Sequence, residues 1–138
     1  MREILFRGKR DPKYGEGWCF GVPYIDHDGD CILANDCSKL VVIPETVGQY
    51  TGLTDKNGKM IFEGDILDAS WALVGLVVIR FGRYKDVFNT GARGEYGHIG
   101  FYAECPHDEW VRKDICYFNS KSEIVGNIHD NPELIETN

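Results

Sequence analysis

The stretch TGLTDKNGKMIFEGDIL, Thr51 to Leu67, decides how this chain is to be read. It sets Asn57-Gly58 between two apolar runs. Such a pair reverses a chain tightly because both residues tolerate positive φ, so the spacing predicts a hairpin with a type I′ turn, whose twist matches that of paired strands. Glu63-Gly64-Asp65 predicts a second corner, in which Gly64 supplies backbone freedom and Asp65 accepts neighbouring backbone N–H groups. The stretch names no reaction. It is the writing of a small β domain.

The flanking sequence continues in the same style. Upstream, residues 2–8 mix Ile4, Leu5 and Phe6 with arginines, as a strand near a sheet edge does. WCFGVPYI, Trp18 to Ile25, reads as an aromatic strand in which Gly21 and Pro23 suggest a bulge or an edge position. Cys31–Ala34 and Lys39–Ile43 form another strand pair, and Pro44 breaks the ladder. Downstream, Ile66–Ala69 and VGLVVIRF, Val74 to Phe81, are strands, the second buried on both faces for part of its length. Residues 82–97 turn polar and glycine-rich, predicting a loop or hairpin tip; His98–Ala103, Ile115–Phe118 and Glu123–Ile128 are further strand candidates. Pro106 to Lys113 has a helical order of charges but room for one or two turns, and Asn131-Pro132 opens a terminal turn or short helix. Many short strands with little helical period predict a mainly β barrel or sandwich.

At 138 residues the chain lies in the single-domain range. With 43% hydrophobic and 27% charged residues it is neither disordered nor a membrane protein in composition. The longest apolar run, Trp71 to Ile79, falls far short of the roughly 20 residues that span a bilayer, and the N-terminus lacks a signal-peptide core. A cytoplasmic protein with no membrane partner is expected. The five cysteines, at 19, 31, 37, 105 and 116, contain no C-x-x-C pair and read as free thiols, most of them buried. Net charge is −7, yet residues 1–13 carry five cations against two carboxylates. The acidic remainder repels phosphate backbones, which disfavours general nucleic-acid binding unless one basic face is segregated.

Four blocks then carry a resemblance: MREILFRGKR at the start, the strand from Trp18 to Tyr24, VIPETVGQYTGLTDKNGKMIFEGDIL from Val42 to Leu67, and IVGNIHDNPEL from Ile124 to Leu134. In this order they resemble the YopX family of phage and prophage proteins, a family of unknown function. The resemblance implies a phage or prophage origin, a cytoplasmic location in a bacterial host and a small SH3-like β-barrel with an N-terminal β extension and at most one or two short helices. In those terms Gly52, Asn57, Gly58, Gly64 and Asp65 shape the hairpin of the barrel. Residues 1–44 are expected to form the N-terminal strand and hairpin region, 45–130 the barrel and 131–138 a tail, the three as one cooperative unit. It supplies no catalytic residues.

Motifs for chemistry are weak. DHDGD, Asp26 to Asp30, spaces three aspartates as a calcium loop does, but the sixth and twelfth positions are Cys31 and Cys37 where glycine and glutamate belong, so it reads as a hairpin turn. A metal site from Cys31, Cys37 and His27 with Cys105 and His107 lacks paired short spacings, and Cys105 with His107 lacks a third group to act as a nucleophile pair. Glu63 and Asp65 flank a corner, where acids serve as hydrogen-bond acceptors. We expect no catalytic residues, cofactor or metal. The expected function is that of a noncatalytic binding or accessory module acting on a host or phage macromolecule, foremost a protein, with self-association through edge strands as a further expectation. Trp18, Phe20 and Tyr24 alternate on one strand, and Tyr84 and Tyr96 with Arg80 and Arg83 are candidates for a binding surface. The alternative is nucleic-acid binding by a basic face of Arg7, Lys9, Arg10, Arg80, Arg83 and Lys85; a metal- or thiol-dependent enzyme ranks below both.

Overall fold

The computed structural model describes residues 3–84, 98–106 and 113–136. The fold is mainly β, with two antiparallel sheets and one short helix. Among the described residues no closed barrel is found, so the strands stand as two open sheets where an SH3-like barrel was expected. Two compact units divide the chain, Met1–Gly52 and Leu53–Asn138.

In the N-terminal unit lie β1 (Phe6–Lys9), β2 (Trp18–Ile25), β3 (Cys31–Ala34), β4 (Lys39–Val41) and the start of β5 (Gly48–Thr54). With β6 (Met60–Phe62) they make a six-stranded sheet in the order β4-β3-β2-β1-β5-β6. Alternation sends one side chain in two to the core. Cys19, Cys31, Leu33 and Val42 are buried there, with Phe6, Leu40 and Val47 packed against them. β2 has no bulge in either of its registers. Gly21 serves close approach instead: a Cβ there would lie 2.4 Å from the Ala34 carbonyl oxygen. Pro23 pairs with Leu33 beyond the Phe6–Gly21 pair that ends the β1 register, so its missing N–H falls where β1 no longer pairs.

The second sheet, in the C-terminal unit, has the order β10-β7-β8-β9, from β7 (Asp65–Asp68), β8 (Leu76–Tyr84), β9 (His98–Glu104) and β10 (Glu123–Asn127). Val77, Val78 and Ile79 are all fully buried, so β8 is covered on both faces there. It runs on through Gly82–Tyr84, where the sequence predicts a loop or hairpin tip, because Gly82, Arg83 and Tyr84 pair with Gly100, Ile99 and His98. Ile115–Phe118, expected as a strand, is the helix α1. Its spacing explains the change: Ile115 and Phe118, three apart, bury together while Cys116 and Tyr117 face out. The core gathers Ile61, Leu67, Val77, Ile79, Ala103 and Phe118 among others.

The turn at Asn57-Gly58 is not type I′. Gly58 has φ +81°, but among the described residues Leu73 alone of the non-glycines has positive φ, so Asn57 does not. The Gly58 N–H donates to Asp55 O at 3.0 Å and the Asp55 N–H to Lys59 O at 2.8 Å. This is a type I turn closed by a left-handed glycine. Asp55 imposes it, its Oδ1 accepting the N–H groups of Asn57 and Lys59.

Candidate functional site

β1 to β4 present an outward face opposite their core. Register places Arg7 beside Phe20, Lys9 beside Trp18, Ala34 between Val22 and Lys39, and Ile32 between Tyr24 and Val41. All of these share the outward face, because Cys19, Leu33 and Leu40 occupy the alternate, inward positions. Down its centre run Phe20, Val22 and Tyr24, exposed to 44%, 56% and 41%. At the head of this strip the Arg7 guanidinium lies over the Trp18 ring, 4.6 Å from its centroid, and is itself buried. A cation so placed is held by the negative face of the ring. Cys31, on the inward side, has its thiol pushed up by burial and by the charge of Glu45.

The candidate surface at Arg80, Arg83, Tyr84 and Tyr96 is divided. Arg80 and Tyr84 share a face of the β8–β9 pair with Tyr102 and His98, while Arg83 points to the other side with Phe81 and Ile99; Tyr96 and Lys85 lie outside the described residues. On the first face Tyr84 stacks on Tyr102 with centroids 4.8 Å apart, over the paired Gly82 and Gly100. Arg80 pairs with Glu104 at 3.6 Å. Burial pushes the Tyr102 hydroxyl up, and Glu104 adds to that against the opposing pull of Arg80. Of the cations named for the nucleic-acid alternative, Arg7 and Lys9 share one face, whereas Arg80 and Arg83 stand on opposite sides of a sheet in the other unit.

The hairpin residues sit where they shape backbone. Gly52, Gly58 and Gly64 have φ near +88°, +81° and +92°. Asp65 is buried and accepts the Phe62 N–H at 2.8 Å. Among the described residues no group of three or more His, Cys, Asp or Glu could hold a metal; His107 lies outside them.

Sequence reasoning did not single out Val22 or Lys39, nor a second exposed apolar group in the C-terminal unit. There Leu73 is 97% exposed at φ +62°, next to Trp71, whose ring lies 5.5 Å from Tyr117 and whose indole N–H donates to the buried Ser122 hydroxyl at 2.9 Å. A cleft of about 140 Å³ lined by Val74, Gly75, Leu76, Pro106, Leu134 and Ile135 opens in the same unit. The signal for Val22 was present, since Trp18, Phe20, Val22 and Tyr24 alternate with Cys19 and Gly21; a strand apolar on both faces must either bury or offer the second one.

Comparison with known proteins fixes the family. The family described as YopX protein matches residues 6–136. The chain belongs to the YopX family. A solved structure similar to this YopX chain is that of protein EF1440 from Enterococcus faecalis, 24% identical, with a TM-score of 0.51 over 99% of this chain and 100% of that one. The likeness shows a shared fold. No curated protein matches the chain. Among the described residues no helix is long and apolar enough to cross a membrane.

Proposed function

We propose that this YopX protein is a noncatalytic binding module, a phage or prophage accessory protein that engages a host or phage protein through the outward face of its N-terminal sheet. The observation that carries the reading is the exposure of Phe20, Val22 and Tyr24 at successive outward positions of one strand. Scattered apolar side chains are ordinary on a surface, but a contiguous strip rimmed by charge is what interaction sites expose. Aromatic side chains add to this, since they contribute large contact areas and are enriched where binding energy concentrates.

The test is capture by the tagged full chain from phage-infected host cells, with and without nuclease, beside the double variant Phe20→Ser, Tyr24→Ser. A protein retained by the parent after nuclease and lost by the variant is the expected result. Recovery that vanishes with nuclease would favour a nucleic-acid ligand, and equal capture by the variant would remove the β2 face from the reading.

A further inference from the structure

We infer that the segment received by the β2 face is acidic: a protein strand or helix whose apolar side chains lie along Phe20, Val22 and Tyr24 and whose carboxylates reach cations on either side. The inference rests on the binding-module reading and names the chemistry of its partner. Its basis is the distribution of charge across the sheet. Lys39 stands on one flank, across Ala34 from Val22; Lys9 stands on the other, beside Trp18, on the strand that also carries the buried Arg7. The four strands β1 to β4 hold these three cations and no carboxylate, in a chain whose net charge is −7. The carboxylates of the unit sit in its turns and termini. Two of them, Asp11 and Asp26, accept backbone N–H groups from Lys13 and from Asp28 and Asp30.

Complementary charge sets partner choice and encounter rate more than affinity, while the apolar strip contributes the burial. A single nucleic-acid strand stacks its bases on successive rings, and Val22, in the middle of the strip, offers no ring. It also carries its phosphates along one edge of the base row, whereas a peptide sends side chains to both flanks. Cations on both sides of a strip interrupted by valine therefore fit a peptide better.

The experiment is a titration of the ¹⁵N-labelled full chain with three probes, followed by amide shifts: a short peptide alternating glutamate with leucine, its lysine-for-glutamate counterpart, and a poly-thymidine oligonucleotide. The acidic peptide should bind about tenfold more tightly than the basic one, weaken with salt and shift amides of β1, β2 and β4. The pair Lys9→Glu, Lys39→Glu should reverse the preference. Lys39→Glu alone, at an exposed position, should reduce it and serves if the pair fails to fold. Phe20→Ser with Val22→Ser should abolish binding of both peptides. Preference for the basic peptide, indifference to Lys39→Glu, tighter binding of the oligonucleotide, shifts confined to other strands, or no binding of any probe would each overturn the inference. Capture of a protein from cells that depends on Phe20 and Tyr24 would still support the module reading in those cases, so the two fail separately.

Discussion

In the turn from Asp26 to Asp30 the carboxylate of Asp26 accepts the N–H groups of Asp28 and Asp30 at 3.0 and 2.9 Å, and Gly29 closes the turn at φ +84°. In the turn from Asp55 to Lys59 the carboxylate of Asp55 accepts those of Asn57 and Lys59 at 2.9 and 3.0 Å, and Gly58 closes it at φ +81°. The backbone bonds repeat as well: Gly29 and Gly58 donate to the carbonyls of Asp26 and Asp55 at 3.1 and 3.0 Å. What differs is the second carboxylate oxygen. Asp55 Oδ2 accepts the N–H of Ile124 at 3.0 Å, from the start of β10, and Asp55 is buried where Asp26 is only half-buried. Lys56 N–H to Ser122 O and the Asn119 amide to Thr54 O, both at 2.9 Å, fasten the same junction. One motif thus makes a turn in the first case. In the second it also holds two distant parts of the chain together.

The largest expected effect breaks that difference directly. Asp55→Ala removes the acceptor for three N–H groups at a buried site and should cost about 3 kcal/mol, whereas water replaces much of what Asp26→Ala removes and the loss there should be about 1 kcal/mol. Urea unfolding followed by circular dichroism measures both, and equal losses would show that the bond to Ile124 adds nothing.

Acid should expose the same difference. Burial pushes the Asp55 carboxyl up, but the N–H groups of Ile124, Lys59 and Asn57 and the charge of Lys59 outweigh it and hold the group below its ordinary value. A carboxyl whose folded pKa is depressed contributes in full above its unfolded pKa, about 3.9, and that contribution is lost as pH falls through the lower folded value. The parent should therefore lose stability below about pH 4, and Asp55→Asn, which cannot titrate, should flatten part of that loss. An unchanged profile in the variant would assign the acid sensitivity to other groups.

The glycines sharpen the comparison from the other side. At both Gly29 and Gly58 a Cβ would meet nothing within 4 Å, so an alanine is opposed by backbone conformation alone. Gly29→Ala and Gly58→Ala should cost about 1 kcal/mol each, and the same amount within error. A larger loss at Gly58, in urea or by thermal unfolding, would mean that the turn must hold its shape to deliver Asp55 to Ile124.

Trp18–Ile25 and Cys31–Ala34 were legible to the residue, because aromatic and aliphatic runs bounded by turn residues mark strands. Ile115–Phe118 was not. Four apolar residues in a row are too few to show a period, and burial of Ile115 with Phe118 in the core decides for a helical turn. The Asn57-Gly58 pair misled as to turn type because the deciding group is a side chain two residues earlier, Asp55. Whether a sheet closes into a barrel is non-local, and a hairpin signature cannot report it. For the candidate site, the alternation of Trp18, Phe20 and Tyr24 was visible; the place of Lys39 across Ala34 required the register of three strands.

The smallest expected effect concerns a carboxylate that is tied locally like Asp26 but belongs to the same unit as Asp55. Asp68 accepts both the hydroxyl and the N–H of Ser70, and these, the hydroxyl foremost, hold its carboxyl below the ordinary value against partial burial, with Lys56 assisting. Ser70→Ala keeps the N–H and removes the hydroxyl. The Asp68 carboxyl should move back towards its ordinary value in an NMR titration, and stability near neutral pH should fall by less than about 1 kcal/mol, since water reaches the exposed Ser70. If Ser70→Ala instead costs as much as Asp55→Ala, a local bond to a carboxylate is sufficient to account for the second turn. If it costs little, the reach of Asp55 to Ile124 is what separates the two turns.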